Sequence, residues 1–164
     1  MATWNVIDLV RTARRRRCRR AGTFVFADLA GYTALSEQRG DLVAAAVGHE
    51  FRRTMAALSR LHGARAVQSL GDGMMLWAPD AGRATALAAH TIAEVGARED
   101  LLPVRVGVHT GSAVVRGGNW FGAALHVATR LAAEAQPNEV RVSAATREAL
   151  PWRSGGADVP PPVG

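Results

Sequence analysis

Two aspartates stand out because each closes an apolar run that should form a strand. Phe24-Val25-Phe26-Ala27-Asp28-Leu29 sets a carboxylate at the end of a buried strand. Gly71-Asp72-Gly73 sets a second at the tip between Ala66-Val67-Gln68-Ser69-Leu70 and Met74-Met75-Leu76-Trp77. A carboxylate taken out of water is costly unless it is paired or bound to a metal. Two of them on neighbouring strands would hold a hard dication through oxygen ligands, with positions left for phosphate oxygens and water. That is the anatomy of a two-metal phosphoryl-transfer site. Strand-end turn formers would leave the same local pattern, so both readings stand at this level. Gly31, Tyr32 and Thr33 follow Asp28 at a helix start, where free backbone N–H groups can take a phosphate; Thr33 is equally a plain N-cap. His126 and Arg130 lie four apart on one helix and share a face. Arg130 interrupts the apolar stretch Val-Ala-Thr-Arg-Leu, although a surface arginine would do the same.

The elements that must position these residues follow from periodicity and breakers. Residues 4–20 read as a short basic helix. A strand over 24–29 turns into a short helix to about Arg39. Asp41 caps a long helix to about Leu61, with Val43, Val47, Phe51, Leu58 and Leu61 on or near one face and Gly63 as its stop. A hairpin carries Asp72 at its tip, and a helix spans about 80–97. Strands are expected at Val104–His109 and Ser112–Arg116, then a turn at Gly117-Gly118-Asn119. A helix covers about Gly122–Ala135, a last strand Glu139–Ser143, and a terminal helix capped by Ser143 runs to Leu150. Residues 153–164 form a Pro/Gly tail. The order β-α-α-β-β-α-β-β-α-β-α indicates an α+β fold, a mostly antiparallel sheet with helices packed on one face.

Charge and composition narrow the chemistry. All 20 basic residues are arginine, against 14 acids in 164 residues, for a formal net charge of +6. Residues 1–20 hold seven arginines and one acid, Asp8, so that arm accounts for the whole excess and the body is neutral. Without lysine there is no Walker-type phosphate loop, no Schiff base and no lysine nucleophile. The arm suits a solvated linker or packing helix; contact with nucleic acid or anionic lipid is the alternative, and the lack of interleaved aromatics argues against single-stranded nucleic acid. Cys18 stands alone, which fits a reducing compartment. With no apolar run of membrane-spanning length, a cytoplasmic protein without membrane or nucleic-acid partners is expected. His49, His62, His90 and His109 show no metal-ligand spacing and read as structural or surface residues.

Four co-linear motifs together carry a resemblance. Phe26-Ala-Asp28-Leu-Ala-Gly-Tyr32-Thr33, Ser69-Leu-Gly71-Asp72-Gly73, Arg105-Val-Gly-Val-His-Thr-Gly111 and Phe121-Gly-Ala-Ala-Leu-His126-Val-Ala128-Thr-Arg130-Leu resemble the class III adenylyl/guanylyl cyclases of compact actinobacterial type. The similarity covers about residues 22–150. It implies the ferredoxin-like class III fold, with a basic arm at 1–20, a catalytic domain at 21–152 and a tail at 153–164. It further implies ATP converted to 3′,5′-cyclic AMP and pyrophosphate with two Mg²⁺ or Mn²⁺, GTP being the other candidate substrate. By resemblance, Asp28, Asp72 and the backbone carbonyl of Leu29 are the metal ligands, and Asp28 helps activate the 3′-hydroxyl. Gly31 to Thr33 hold phosphate, and Arg130 stabilises charge in the transition state. The family draws its metal acids from one subunit and its base-reading groups from the other, which implies a head-to-tail homodimer.

Three positions depart from the family pattern. Gln68 stands where adenylyl cyclases carry a base-reading lysine, and Asn119 where they carry its partner aspartate. His126 stands where the family has a ribose-orienting asparagine. Gln and Asn each hold a donor and an acceptor, so the pair suits adenine in one amide orientation and guanine in the other. Guanylyl cyclases use an acid at the lysine position, absent here, so adenine is expected with relaxed purine discrimination. His126 predicts a slow enzyme, since losing one positioned donor costs about 10²–10³ in rate. A catalytically degenerate homologue, binding nucleotide or a partner chain as a regulator, is the alternative. The resemblance also stops before a final hairpin that related enzymes often use for a further basic phosphate contact.

Overall fold

The computed structural model describes residues 18–151. Its elements are β1 (Cys18–Leu29), α1 (Tyr32–Arg39), α2 (Asp41–Leu61), β2 (Arg65–Leu70), β3 (Gly73–Ala78), α3 (Ala81–Gly96), β4 (Val104–Arg116), β5 (Asn119–Phe121), α4 (Ala123–Glu134), β6 (Val140–Val142) and α5 (Ala144–Ala149). The sheet runs β2-β3-β1-β4-β5. Every pairing is antiparallel except that of β6, which lies parallel along the first half of the β4 edge, where Val106 meets Val140. β5 takes the second half, with Val115 opposite Trp120. The fold is the expected α+β one.

β1 is the central strand, and its sequence explains why. Phe24 to Leu29 is continuously apolar up to Asp28 rather than alternating, which marks a strand covered on both faces. Val25, Ala27 and Leu29 point into a core with Phe51, Met55 and Leu58 of α2 and Leu87, Ala88 and Val95 of α3. Phe24 and Phe26 point the other way, against Met75 and the small face of α4 formed by Ala124, Leu125, Ala128 and Ala132. The helices therefore lie on both faces of the sheet, which corrects the one-face expectation. α4 comes closest of all. A Cβ on Gly107 of β4 would sit 2.1 Å from the carbonyl oxygen of Ala128 and 2.5 Å from the amide nitrogen of Ala132.

Several boundaries moved for tertiary reasons. β1 begins at Cys18, so the end of the expected basic helix is strand; residues 4–17 and the tail at 153–164 lie outside the described residues. The two strands expected at 104–109 and 112–116 are one strand, because β1 pairs across the supposed gap, Thr23 with Thr110 and Gly22 with Gly111. The second strand of that pair is instead Asn119–Phe121, returned by a turn whose Gly117 and Gly118 take left-handed φ values of 56° and 83°. Asp41 does not cap α2: Gly40 holds that position, and the Asp41 carboxylate accepts a 2.6 Å bond from the Ser36 hydroxyl. The inward stripe of α2 is Ala44, Gly48, Phe51, Met55 and Leu58. Val43 and Val47 are half-buried, and Leu61 is exposed. Ser143 caps α5 as expected, accepting from the Thr146 amide at 3.2 Å, and Asp80 caps α3, accepting from the Arg83 amide at 2.8 Å. Among the described residues, no helix is long and apolar enough to cross a membrane.

Because the obstacles at Gly107 are main-chain atoms that cannot rotate away, Gly107→Ala is expected to cost about 1–3 kcal/mol of stability by overpacking. A urea denaturation midpoint unchanged from wild type would contradict this packing.

Candidate functional site

The site begins with the row that Phe24 and Phe26 occupy. Successive residues alternate across a strand, so Asp28 continues that row on the α4 side of the sheet and is only partly buried. Register sets its neighbours: Gly73 on β3 and Arg105 on β4 both stand opposite it. Gly73 leaves the space the carboxylate needs, since a Cβ there would lie 2.5 Å from Phe26 Cζ and 3.1 Å from Asp28 Oδ1. Asp72, immediately before it, sits in the β2–β3 turn that Gly71 closes with φ 62°.

Charge at this point is unbalanced. Arg105 Nη2 donates a 2.7 Å hydrogen bond to Asp28 Oδ2, with 29% and 18% of the two side chains exposed. Burial nevertheless holds the Asp28 carboxyl above the ordinary carboxylate range, the negative charge of Asp72 pushes it further up, and the Arg105 bond and charge only partly oppose them. Two carboxylates with less than their share of positive charge suit a hard dication bound through oxygen. Among the described residues no group of three or more His, Cys, Asp or Glu could hold a metal. A metal here would therefore use Asp28, Asp72 and main chain. Leu29 as a whole is 1% exposed in the core, and its apolar side chain has no ligand atom, so only its backbone carbonyl could serve such a role.

α1 starts three residues beyond Leu29. Gly31 precedes it in a left-handed conformation, φ 87°, and no side chain caps the helix. Its first intrahelical bond runs from the Leu35 amide to the Gly31 carbonyl at 3.0 Å. The amides of Tyr32, Thr33 and Ala34 thus belong to the first turn, where helices leave donors for an anion. Thr33 lies inside the helix, so the reading of it as an N-cap is corrected. The Tyr32 ring packs toward α2, its hydroxyl 3.1 Å from where a Gly48 Cβ would be.

A pocket of about 310 Å³ lies between β2 and the start of α4, lined by Gln68, Met75, Trp120, Phe121, Gly122, Leu125, His126 and Thr129. Gln68 reaches it from β2, opposite Met75 and beside a bulge in the strand. Trp120 forms its aromatic wall, stacked at a tilt against Trp77 at 5.9 Å and edge-on to Phe24 at 5.9 Å. Gln68 and His126 are therefore brought together in one pocket. Asn119 and Arg130 are exposed and are not among the lining residues, though each neighbours one. A larger cleft of about 690 Å³ lies on the other side of the sheet between α2 and α3, lined by Glu50, Arg53, Leu61, Glu94 and Arg98 among others, and touches none of these groups.

Sequence reasoning assigned no role to Arg105 or Trp120. Arg105 carried the signal that exposed Asp28, a charge within an apolar strand, but only register shows that the two face each other.

The native state holds the Asp28 proton more tightly than the unfolded chain, so this group's contribution to stability falls as pH rises from the ordinary Asp value through its raised one. In metal-free protein, Asp72→Asn should move the Asp28 titration to lower pH, and Arg105→Gln should move it higher. Carboxyl ¹³C NMR titration checks both signs; equal shifts in one direction would contradict the charge arrangement.

Comparisons with known proteins place this geometry. A model of the adenylate and guanylate cyclase catalytic domain matches residues 19–158. The chain is 35% identical over 130 residues to an adenylate cyclase of Streptomyces coelicolor, covering 76% of this chain and 33% of that protein. It is 36% identical over 132 residues to a pH-sensitive adenylate cyclase of Mycobacterium tuberculosis, covering 78% and 32%. The chain thus spans about a third of the length of these curated relatives. Among solved structures it is similar to an adenylate/guanylate cyclase/hydrolase from Silicibacter pomeroyi, with TM-score 0.73, 27% identity and 81% of each chain covered. An adenylyl cyclase from P. aeruginosa matches with TM-score 0.71 at 18% identity over 82% of each chain, a likeness of fold alone.

Proposed function

The chain belongs to the adenylate and guanylate cyclase catalytic domain family, and from that premise we propose that it converts ATP to 3′,5′-cyclic AMP and pyrophosphate at a homodimer interface. The supporting observation is the register that sets Asp28 opposite Gly73, bringing two under-compensated carboxylates together beside the uncapped start of α1. In the reaction the 3′-oxygen bonds to the α-phosphorus, the bond from that phosphorus to the β-phosphate bridging oxygen breaks, and the 3′-hydroxyl loses its proton. Asp28, Asp72 and the Leu29 carbonyl would hold two Mg²⁺ or Mn²⁺, whose bound form lowers the hydroxyl's pKa and offsets phosphate charge. Asp28 would help activate the 3′-hydroxyl through the metals it holds. The Tyr32 and Thr33 amides and the Gly31 turn bind phosphate oxygens. Arg105 is a second cation beside these carboxylates, free to turn to phosphate once Asp28 is otherwise neutralised.

Gln68 reads the purine from the pocket it shares with Trp120, and His126 orients the ribose. Asn119 and Arg130, each next in sequence to a lining residue, act on a nucleotide whose phosphates lie on the partner's carboxylates. Neutral amides here forgo the stronger charge-assisted bond, which supports slow turnover and relaxed choice between ATP and GTP. The second reading, a degenerate nucleotide-binding regulator, draws support from His126 itself, an imidazole where the family pattern has an amide.

Purified protein with Mn²⁺ and ATP should yield cyclic AMP above an Asp28→Ala control; equal yields with intact nucleotide binding would favour the regulator instead. Asp28→Ala and Arg130→Ala, each inactive alone, should recover roughly a quarter of wild-type activity when mixed, because half the dimers then carry one complete site. No recovery would count against a shared site. Gln68→Lys with Asn119→Asp should raise the ATP-over-GTP ratio of kcat/KM about tenfold, equivalent to about 1.4 kcal/mol.

A further inference from the structure

The pocket between β2 and the start of α4 is lined by no acid and no arginine. Its polar side chains are Gln68, His126 and Thr129, and the Thr129 hydroxyl already donates to the Leu125 carbonyl at 3.0 Å. So few directed hydrogen bonds leave most of the contact to apolar surface, where Trp120 offers the largest ring. Trp120 stands opposite Val115 near the end of β4. Its indole reaches back across the sheet to Trp77 of β3 and Phe24 of β1, each ring 5.9 Å away. Small residues clear that path. Ala113 lies in the same cluster, and Gly22 leaves room for Trp77, whose Nε1 a Cβ there would strike. Arg65 lies over the Trp77 ring at 5.9 Å, so Trp77 is also held from the β2 side. The Trp120 ring is thus fixed by its neighbours, yet it stays half-buried and lines the pocket.

Building on the nucleotide-binding reading above, we propose that the Trp120 indole is the plate on which the purine stacks, and that it supplies affinity common to adenine and guanine. Stacking on an aromatic ring contributes about tenfold or more in affinity per base, and it tolerates base identity because every base has a π-face. A ring already held by its neighbours loses little freedom when the base arrives. Gln68, by contrast, offers a donor and an acceptor to the base edge and sets which purine is preferred. Affinity and choice therefore sit on different side chains, one on β5 and one on β2. Met75 and Leu125 add apolar lining but no π-face. Phe121 is the neighbouring ring, but successive strand residues alternate across a sheet, and it is 56% exposed.

The nucleotides 3′-deoxy-ATP and 3′-deoxy-GTP lack the attacking hydroxyl and cannot cyclise, so with Mg²⁺ they report binding apart from turnover. Their Kd values are measured by calorimetry on the full chain and on Trp120→Leu and Trp120→Phe, with circular dichroism verifying folding. Trp120→Leu should weaken both nucleotides about tenfold, by factors within about threefold of each other. Trp120→Phe keeps a π-face and should bind about threefold more tightly than the Leu variant. Nucleotide should quench tryptophan emission in wild type and much less in either variant. If Trp120→Leu unfolds, Trp120→Phe and the emission change decide the matter. Equal affinity in wild type and Trp120→Leu, a Phe variant no better than the Leu variant, or a loss confined to one purine overturns the stacking role, as does wild type that binds neither nucleotide. Cyclic AMP made from ATP beside any of those results leaves the cyclase reading standing. Binding that depends on Trp120 without cyclic AMP from ATP sinks the cyclase reading and upholds the plate.

Discussion

A carboxylate at the end of a strand buried on both faces is the constraint on which the site depends. Asp28 occupies the third place in the row that begins with Phe24 and Phe26. It is held there by a sheet that cannot shift without exposing those rings. Burial and Asp72 disfavour its charge more than Arg105 favours it. Stability alone would select an apolar residue at this position. The arrangement makes sense where a cation arrives from outside, so the same imbalance that burdens the fold equips the site.

The two faces of the sheet do different work. α2 and α3 bring the large side chains, Phe51, Met55, Leu58 and Leu87, to one side of β1. On the other side α4 meets the sheet through alanines and lies almost on the backbone of Gly107. That close approach makes the helix bearing His126 and Arg130 a rigid platform. On this face Asp28 is only partly buried, and the Gln68 pocket lies beside the start of α4.

Gln68 and His126 answer a different constraint from the carboxylates. They share their pocket with Trp120, Phe121, Met75 and Leu125, surroundings in which an unpaired charge would be expensive. Neutral side chains with both donors and acceptors carry less of that penalty and less discrimination. On the proposed function, strong charge is concentrated where phosphate and cations would lie, and base recognition would fall to amides and an aromatic wall.

The order of elements was legible in the sequence, because the 2.0 and 3.6 periods, the glycine stops and the Ser143 cap are local. Asp28 stood out in the sequence as a charge in an apolar strand and Asp72 as one at a hairpin tip, while Gln68 and His126 were picked out by the motifs around them. Tertiary structure alone decided the rest. Register is a property of two strands at once. Only pairing could show that Arg105 faces Asp28, that β1 reaches back to Cys18, or that β4 runs unbroken past Gly111. β5 was missed because three residues carry too little periodicity to be seen. The approach of Trp120 to Trp77 was invisible for the same reason: strand pairing and packing, rather than sequence spacing, set the distance between residues on different elements.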